Sequence, residues 1–217
     1  MRKNLERDMV NKVANWLETS RGREFEVLGK RVGLWRYPEL AEKLPSSCYL
    51  HPDIDILLSP RGKSREMKKL TGVEVKAVYV RRPQELNVRF YEGLNEAISL
   101  LRFGLDSVLF FQVFIVPLLD EKARQEMPRV FIEYPIPMRD IITNLNLPLS
   151  YTPALDFSVN DELLPDPVQV LDLKEPEKTP ADRQIILRYR GVNPFLRSQL
   201  EYPNIIREFI LSRYRVG

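Results

Sequence analysis

Cysteine and histidine are almost absent: the 217-residue chain has one of each, Cys48 and His51. A single cysteine cannot form an intrachain disulfide, a cysteine zinc cluster or an iron–sulfur cluster. A single histidine excludes a paired-histidine metal site and leaves no spare candidates for a Ser-His triad. Because scarce cysteine is typical of reducing compartments, we expect an intracellular, cytoplasmic protein.

Long hydrophobic runs are also absent. Spanning a bilayer takes roughly 18–20 consecutive apolar residues. The longest candidate run, residues 108–119, is shorter and is interrupted by Gln112 and Pro117. The N-terminus is charged from Arg2 onward, which is not typical of a signal peptide. We therefore expect no membrane contact.

The charges that are present divide unevenly along the chain. Residues 1–105 hold 20 lysines and arginines against 14 acidic residues, whereas residues 106–217 hold 13 against 16. An excess of positive charge attracts polyanions, so the first half is the better candidate for binding nucleic acid. A surface of mixed charge that divides unevenly by chance would give the same count.

Hydrophobic periodicity predicts an α/β protein whose first 118 residues follow the order helix, three strands, helix, strand. Two further features break the pattern, a short helix over residues 37–44 and bends at Gly29 and Gly33. The predicted helices span residues 4–19 and 87–103, with Gly104 as the cap of the second. The predicted strands span residues 24–35, 49–58, 73–80 and 107–116.

The second part of the chain is rich in proline. We predict a core over residues 1–120 and a proline-rich α+β extension over residues 121–217 that packs on it. Residues 156–179 are acidic and contain several prolines, which predicts an irregular segment. In the extension we predict helices at 121–125, 138–145 and 195–214, the last broken near Pro203, and strands at 130–134 and 184–189.

Carboxylates and a lysine alternate with apolar residues in two of the predicted strands. Because side chains alternate between the faces of a sheet, Glu74 and Lys76 share one face while the valines beside them point into the core. Asp53 and Asp55 share a face in the same way. Charges among buried residues are costly unless they are paired or bind a cation. We therefore predict that these groups converge, although a solvated sheet edge with a surface salt bridge would show the same residues.

These residue types suit phosphodiester hydrolysis. Mg²⁺ prefers oxygen ligands and keeps several waters, so two carboxylates and a backbone carbonyl are enough to hold it. A bound metal lowers the pKa of a water ligand and neutralises charge on the attacked phosphate. A lysine beside the metal stabilises the negative charge that develops on the phosphoryl oxygens, or orients the attacking water.

The pattern Pro52-Asp53, then Glu74-x-Lys76, in this order of elements resembles the PD-(D/E)xK nuclease superfamily. The resemblance implies a restriction-endonuclease-like core with a mixed central sheet flanked by helices. It also implies Mg²⁺ or Mn²⁺ held by Asp55, Glu74 and the carbonyl of Val75, with Lys76 catalytic and DNA as the partner. A literal match selects Asp53, but many members carry the aspartate directly before three apolar residues. That form selects Asp55, with Asp53 as the second choice.

The pattern also resembles archaeal Holliday-junction resolvases and RecB-like nucleases, which often place a glutamate on the first helix near the metal. Glu6 matches that position, with Glu18 as a competitor; an ordinary first-turn acid favoured by the helix dipole is the alternative. RecB-like members carry a glutamine and, four residues on, a tyrosine after the third strand. Here Asn95 and Ser99 stand in those places, a departure from the pattern. A junction resolvase would require a symmetric homodimer.

Basic residues lie between and after the two motif strands. They are predicted to hold the phosphate backbone, although a solvated hairpin is an equal alternative for the first group. The predicted contacts are Arg61, Lys63, Lys68, Lys69, Arg81 and Arg82.

The sequence thus predicts a Mg²⁺- or Mn²⁺-dependent deoxyribonuclease. One alternative is a nuclease-fold module that binds nucleic acid or protein without cleaving. Another is an interaction protein that binds a protein partner through residues 121–217.

Overall fold

The fold is built on one mixed β-sheet. A computed structural model describes residues 2–20, 25–61, 69–79, 91–116, 135–157, 163–164 and 189–214. The strands are β1 (Phe25–Val32), β2 (Ile54–Pro60), β3 (Thr71–Tyr79), β4 (Ser107–Val116), β5 (Ser150–Phe157) and the two-residue β6 (Leu163–Leu164). The helices are α1 (Arg2–Ser20), α2 (Pro38–Ala41), α3 (Leu94–Leu100), α4 (Pro135–Asn144) and α5 (Tyr202–Arg213). Short 3-10 turns span Leu34–Arg36, Leu101–Phe103 and Pro194–Arg197.

The six strands are hydrogen-bonded in the order in which they occur in the chain. Strands β1, β2 and β3 form an antiparallel meander, β3, β4 and β5 are parallel, and β6 is antiparallel to β5. The central strand β4 is almost wholly apolar, as expected for a strand covered on both faces. The predicted α/β class and the mixed sheet with helices are confirmed.

Each face of the sheet carries its own hydrophobic core. On one face, α1 packs its residues at helical spacing, among them Val13 and Leu17, against Val73, Val75 and Phe111. On the other face, α3, α4 and α5 pack over Leu57 and Phe110 of the sheet. Buried residues of that helical layer are Ala97, Leu100, Met138, Ile142, Ile206 and Ile210.

The second half of the chain belongs to this same sheet and core. Strand β5 pairs with β4 along its length. The buried Asn193 side chain donates to the carbonyls of Leu101 and Leu105, each at 2.7 Å. Arg207 donates to the Gly104 carbonyl at 3.0 Å and to Asp106 at 2.6 Å. Residues 135–157 and 193–213 therefore help to close the core that the first half begins.

Several predicted bounds are wrong, and proline explains most of the differences. Strand β2 begins at Ile54 rather than at residue 49, because Pro52 has no N–H to join a ladder. Strand β5 was not predicted, because Pro153 is read as a breaker; β6 covers only Leu155 and Asp156, so among the described residues Pro153 has a partner strand only on the β4 side. The last helix begins with Pro203 in its first turn rather than breaking there.

Other predicted elements agree or lie outside the described residues. The second long helix is described from Leu94 and ends in a 3-10 turn at Gly104, whose left-handed φ of 68° closes it as predicted. Strand β1 ends at Val32, before a 3-10 turn that buries Leu34. The predicted elements at 121–125, 130–134 and most of 184–189 lie outside the described residues.

Across the described parts of the chain, no helix combines the length and the hydrophobicity that a bilayer-spanning helix needs.

Candidate functional site

Asp55 lies where the pairing of β2 with β3 ends. The last paired residues are Ile56 and Val73, so the next residues outward along the two strands are Asp55 and Glu74. Past this point β3 remains paired with β4, and on its other side the Asp55 carboxylate accepts a hydrogen bond from the Val75 N–H at 2.9 Å. The aspartate side chain thus binds the β3 backbone between the two residues of the Glu-x-Lys motif.

Glu74 is a buried carboxyl group, with only 4% of its surface exposed. Burial raises the pKa of Glu74 well above its usual range, and the negative charge of Asp55 and a hydrogen bond with Glu96 raise it further. The nearby Lys76 ammonium opposes this increase in pKa. Glu74 therefore holds a proton more firmly than an exposed glutamate does.

Glu96 completes the cluster from helix α3. Its carboxylate lies 3.5 Å from the Lys76 ammonium and is hydrogen-bonded to Glu74. These contacts lower the pKa of Glu96, the hydrogen bond from Glu74 most of all. Because the pKa of Glu74 is raised and that of Glu96 is lowered, we assign the shared proton to Glu74, which donates to Glu96.

A glycine allows α3 to approach the strand that carries the motif. Gly93 has a left-handed φ of 91° and precedes the first residue of the helix. A Cβ atom at this position would lie 3.0 Å from the Cβ of Lys76 and 3.0 Å from the Phe110 ring. The absence of a side chain therefore allows this end of α3 to lie directly against Lys76.

Polar groups continue from the cluster into the middle of the sheet. Gln112 pairs with Lys76 in the register of β3 and β4. The Tyr151 hydroxyl donates to the Gln112 side-chain oxygen at 2.8 Å, and both residues are fully buried. Burial raises the pKa of Tyr151 well above its usual range, so its hydroxyl stays a neutral donor.

Asp53 is bound elsewhere. It precedes β2, so the prediction that it shares a strand face with Asp55 is wrong. Its carboxylate accepts a hydrogen bond from the Trp35 indole at 2.6 Å and lies 3.6 Å from the Arg36 guanidinium. Asp55, rather than Asp53, is therefore the aspartate that the structure places beside Glu74.

The predicted fourth member, Glu6, is on α1, but its side chain lies outside the described residues. The described side chains of α1 pack against Val73 and Val75, on the face opposite to Glu74. Its competitor Glu18 is exposed near the other end of the helix. Neither glutamate is brought to the cluster by a described contact.

Two of the six predicted basic contacts, Arg61 and Lys69, are among the described residues, and neither is adjacent to the cluster. Arg61 follows the last residue of β2 and donates to the Phe25 carbonyl at 3.2 Å, and Lys69 precedes β3. Both are exposed, and both lie at the end of the two strands that is farther from Asp55. Lys63, Lys68, Arg81 and Arg82 lie outside the described residues.

Sequence reasoning did not select Glu96, Gln112 or Tyr151. Glu96 sits beside the apolar face of a predicted helix, which is a weak signal. Gln112 interrupts an otherwise apolar strand, and a polar residue in a strand buried on both faces could have drawn attention to it. Tyr151 gave no signal, because its strand was not predicted.

The donor set suits a small, hard cation. Asp55, Glu74 and the Val75 carbonyl supply only oxygen, which Mg²⁺ and Mn²⁺ accept, and water completes such a site. Within the ranges that the structure describes, no group of three or more His, Cys, Asp or Glu residues is arranged to hold a metal ion. Burial and two neighbouring carboxylates oppose ionisation of Glu74, so a cation bound here would replace the proton of Glu74 and favour its ionised form.

Comparisons with protein-family models, with curated proteins and with solved structures give no match for this chain.

Proposed function

We propose that this protein is a Mg²⁺- or Mn²⁺-dependent nuclease that hydrolyses phosphodiester bonds of DNA. One observation supports this most strongly: the Asp55 carboxylate accepts a hydrogen bond from the β3 backbone between Glu74 and Lys76. Two carboxylates and an ammonium are thereby gathered at one point of the sheet. The order helix, three strands, helix, strand supports a restriction-endonuclease-like core.

In this proposal each residue has a separate task. Asp55, Glu74 and the Val75 carbonyl hold the metal. The bound metal supplies an acidified water and neutralises charge on the phosphate. Lys76 presents its ammonium, restrained by Glu96 at 3.5 Å, to the negative charge that develops on the phosphoryl oxygens.

Two aspartates close together in sequence provide a matched test. We expect Asp55→Asn and Lys76→Ala to lower the rate of Mg²⁺- or Mn²⁺-dependent cleavage by about 10²-fold or more. At saturating DNA concentration, Asp53→Asn should change the rate by less than about threefold, because Asp53 binds Trp35 and Arg36 rather than the β3 backbone. The measurement is cleavage of duplex, single-stranded, flap and junction DNA by folded variants. Absence of cleavage on all four substrates with either metal would refute the proposal.

A second function has specific support. The hydrogen bond between Glu74 and Glu96 and the ion pair between Lys76 and Glu96 balance much of the charge without a metal. That arrangement suits a nuclease-fold module that binds nucleic acid or protein without cleaving. Calorimetry separates the two: no Mn²⁺ affinity together with salt-dependent DNA binding would favour the binding module.

A further inference from the structure

An exposed aromatic group lies beside the candidate site and is not used by it. The Trp35 ring is 48% exposed, although Leu34 before it is fully buried. The His51 ring stacks with Trp35, with ring centroids 5.5 Å apart and planes inclined by 23°. The Arg36 guanidinium lies 5.1 Å from the centre of the indole ring. We call these three side chains, Trp35, Arg36 and His51, the aromatic platform.

The platform is held rigidly in place. Asp53 accepts the indole N–H at 2.6 Å and also faces the Arg36 guanidinium at 3.6 Å. A Cβ atom on Gly33 would lie within about 3 Å of side-chain atoms of Arg36, Asp53 and Trp35. The group thus packs over a backbone position that has no side chain. Because its rings are already ordered, a ligand that stacks on it loses little additional conformational entropy.

The platform is adjacent to the candidate metal ligands in the chain. Asp53, which holds it, precedes Asp55 by two residues, so their Cα atoms are at most about 7 Å apart. Asp55 binds the β3 backbone next to Glu74. A single nucleic-acid strand is long enough to contact both places at once.

The chemistry of the platform suits nucleobases. Unpaired bases stack on aromatic rings and on arginine guanidinium planes, whereas bases inside a duplex are already stacked on each other. Half of the Arg36 side chain is exposed, at 53%, so its positive charge is accessible to a phosphate group. Tyr49, two residues before His51, is 72% exposed and adds a further aromatic surface nearby.

We propose that the aromatic platform binds unpaired nucleobases of a single strand that enters the site at Asp55 and Glu74. The biological role of the platform rests on the proposed nuclease function. The platform would define the substrate class of that nuclease site: single-stranded or flapped nucleic acid. Its contacts do not require a metal, so base binding is measurable when cleavage is blocked.

The chain has two tryptophans, Trp16 and Trp35, and this makes the test direct. In the Trp16→Phe variant, all indole fluorescence comes from Trp35. We expect oligothymidylate in EDTA to quench that fluorescence. An abasic oligomer of equal length should bind more weakly and cause little quenching, because it offers phosphates without bases.

Affinity provides a second, independent measurement that does not use the Trp16 variant. Fluorescence anisotropy of labelled oligothymidylate in EDTA should show binding roughly tenfold weaker for Trp35→Ala than for the unmodified chain. Gly33→Ala should also weaken binding, because the added methyl group displaces the platform. Leu145→Ala is the matched control, since Leu145, directly after α4, is 66% exposed and its replacement should leave the affinity unchanged.

The outcomes distinguish this proposal from the proposed function. The proposal is overturned if the abasic oligomer binds as tightly as oligothymidylate and Trp35→Ala binds as tightly as the unmodified chain. The platform side chains would then serve only to hold the Leu34–Arg36 turn in place. Failure of the full-length protein to bind oligothymidylate in EDTA would overturn it as well. If the protein cleaves duplex DNA with metal but shows neither the base-dependent quenching nor the Trp35 effect on affinity, only the proposed nuclease function is supported. If it binds bases but cleaves no DNA with metal, the platform is supported and the nuclease function is refuted.

Discussion

The two faces of the central sheet differ, although the same strands make both. On the α1 face, Val73 and Val75 of β3 and Phe111 and Val113 of β4 are apolar and buried beneath the helix. On the α3 face, the same two strands carry a mixture of glycine, charged, polar and aromatic residues. These are Gly72, Glu74 and Lys76 on β3 and Phe110 and Gln112 on β4. Burial alone explains the first face, whereas the second also requires that its charges balance.

The change on the α3 face runs along β3. At Gly72 the helical layer is so close that an added Cβ would meet Leu105, so nothing but backbone fits there. Two residues later, Glu74 is still buried, and burial and the neighbouring carboxylates disfavour its ionised form. At Lys76 the side chain is partly exposed and is paired with Glu96. The sheet thus passes within five residues from close packing to a polar site.

The largest effect that separates the faces is on stability. Phe111→Ala on the α1 face removes a fully buried ring that contacts Trp16, and we expect it to lower the free energy of unfolding by about 3–5 kcal/mol. Lys76→Ala on the other face should change it by less than about 1 kcal/mol, because its ion pair is partly exposed. Urea denaturation without metal measures both. If both variants lost the same free energy of unfolding, the polar cluster would contribute as much to stability as the core does.

The next effect concerns metal affinity and pH. The pKa of Glu74 is raised, and the metal binds only the carboxylate, so a proton must leave when the metal binds. We expect Mn²⁺ affinity to increase about tenfold per pH unit below the pKa of Glu74 and to level off above it. Calorimetry at several pH values measures this increase.

Glu74→Gln is the control for that dependence, because the amide has no proton to lose. It should bind Mn²⁺ weakly, with little change across the same pH range. A wild-type affinity independent of pH from mildly acidic to neutral conditions would contradict the assignment of the proton to Glu74.

The smallest effect is the contribution of Glu74 to stability without metal. Its pKa is higher in the folded than in the unfolded chain, so the folded state binds its proton more tightly. Stability from this group is therefore present at acidic pH and is lost as the pH rises through the interval between the two pKa values. Glu74→Gln should remove that loss and stabilise the metal-free protein relative to the unmodified chain at neutral pH.

Glu96→Gln should act in the opposite direction. The pKa of Glu96 is lowered, so its stabilising contribution is present above the unfolded pKa and is lost as the pH falls through the folded one. Replacing it should slightly destabilise the protein at neutral pH. Thermal unfolding of Glu74→Gln and Glu96→Gln at acidic and neutral pH tests both expectations. If the two substitutions changed stability in the same direction at neutral pH, the opposite pKa shifts of the two glutamates would be contradicted.

Sequence patterns predict what is decided locally. Strand β4 has the predicted bounds, because ten nearly continuous apolar residues favour a buried strand. Glu74 and Lys76 were selected because alternation within one strand is enough to place them on a common face. The end of the second helix was foreseen because Gly104 readily adopts a left-handed φ.

Contacts between distant residues could not be predicted in this way. Glu96 reaches Lys76 only because α3 lies against β3 at Gly93, which depends on packing and not on a local pattern. Asp53 is held by Trp35 and Arg36, about 18 residues earlier in the chain. Strand β5 was not predicted because proline is disfavoured in most strand positions; among the described residues, Pro153 has a pairing partner only on the β4 side.

The pairing of β5 with β4 decides how fragments of this protein would behave in solution. Cutting the chain near residue 120 would remove β5 and leave the long apolar edge of β4 without its neighbour. Such an edge favours pairing with other chains, so the fragment should aggregate rather than fold as a smaller domain. Protein partners of the second half are therefore better sought with single surface substitutions in the intact chain.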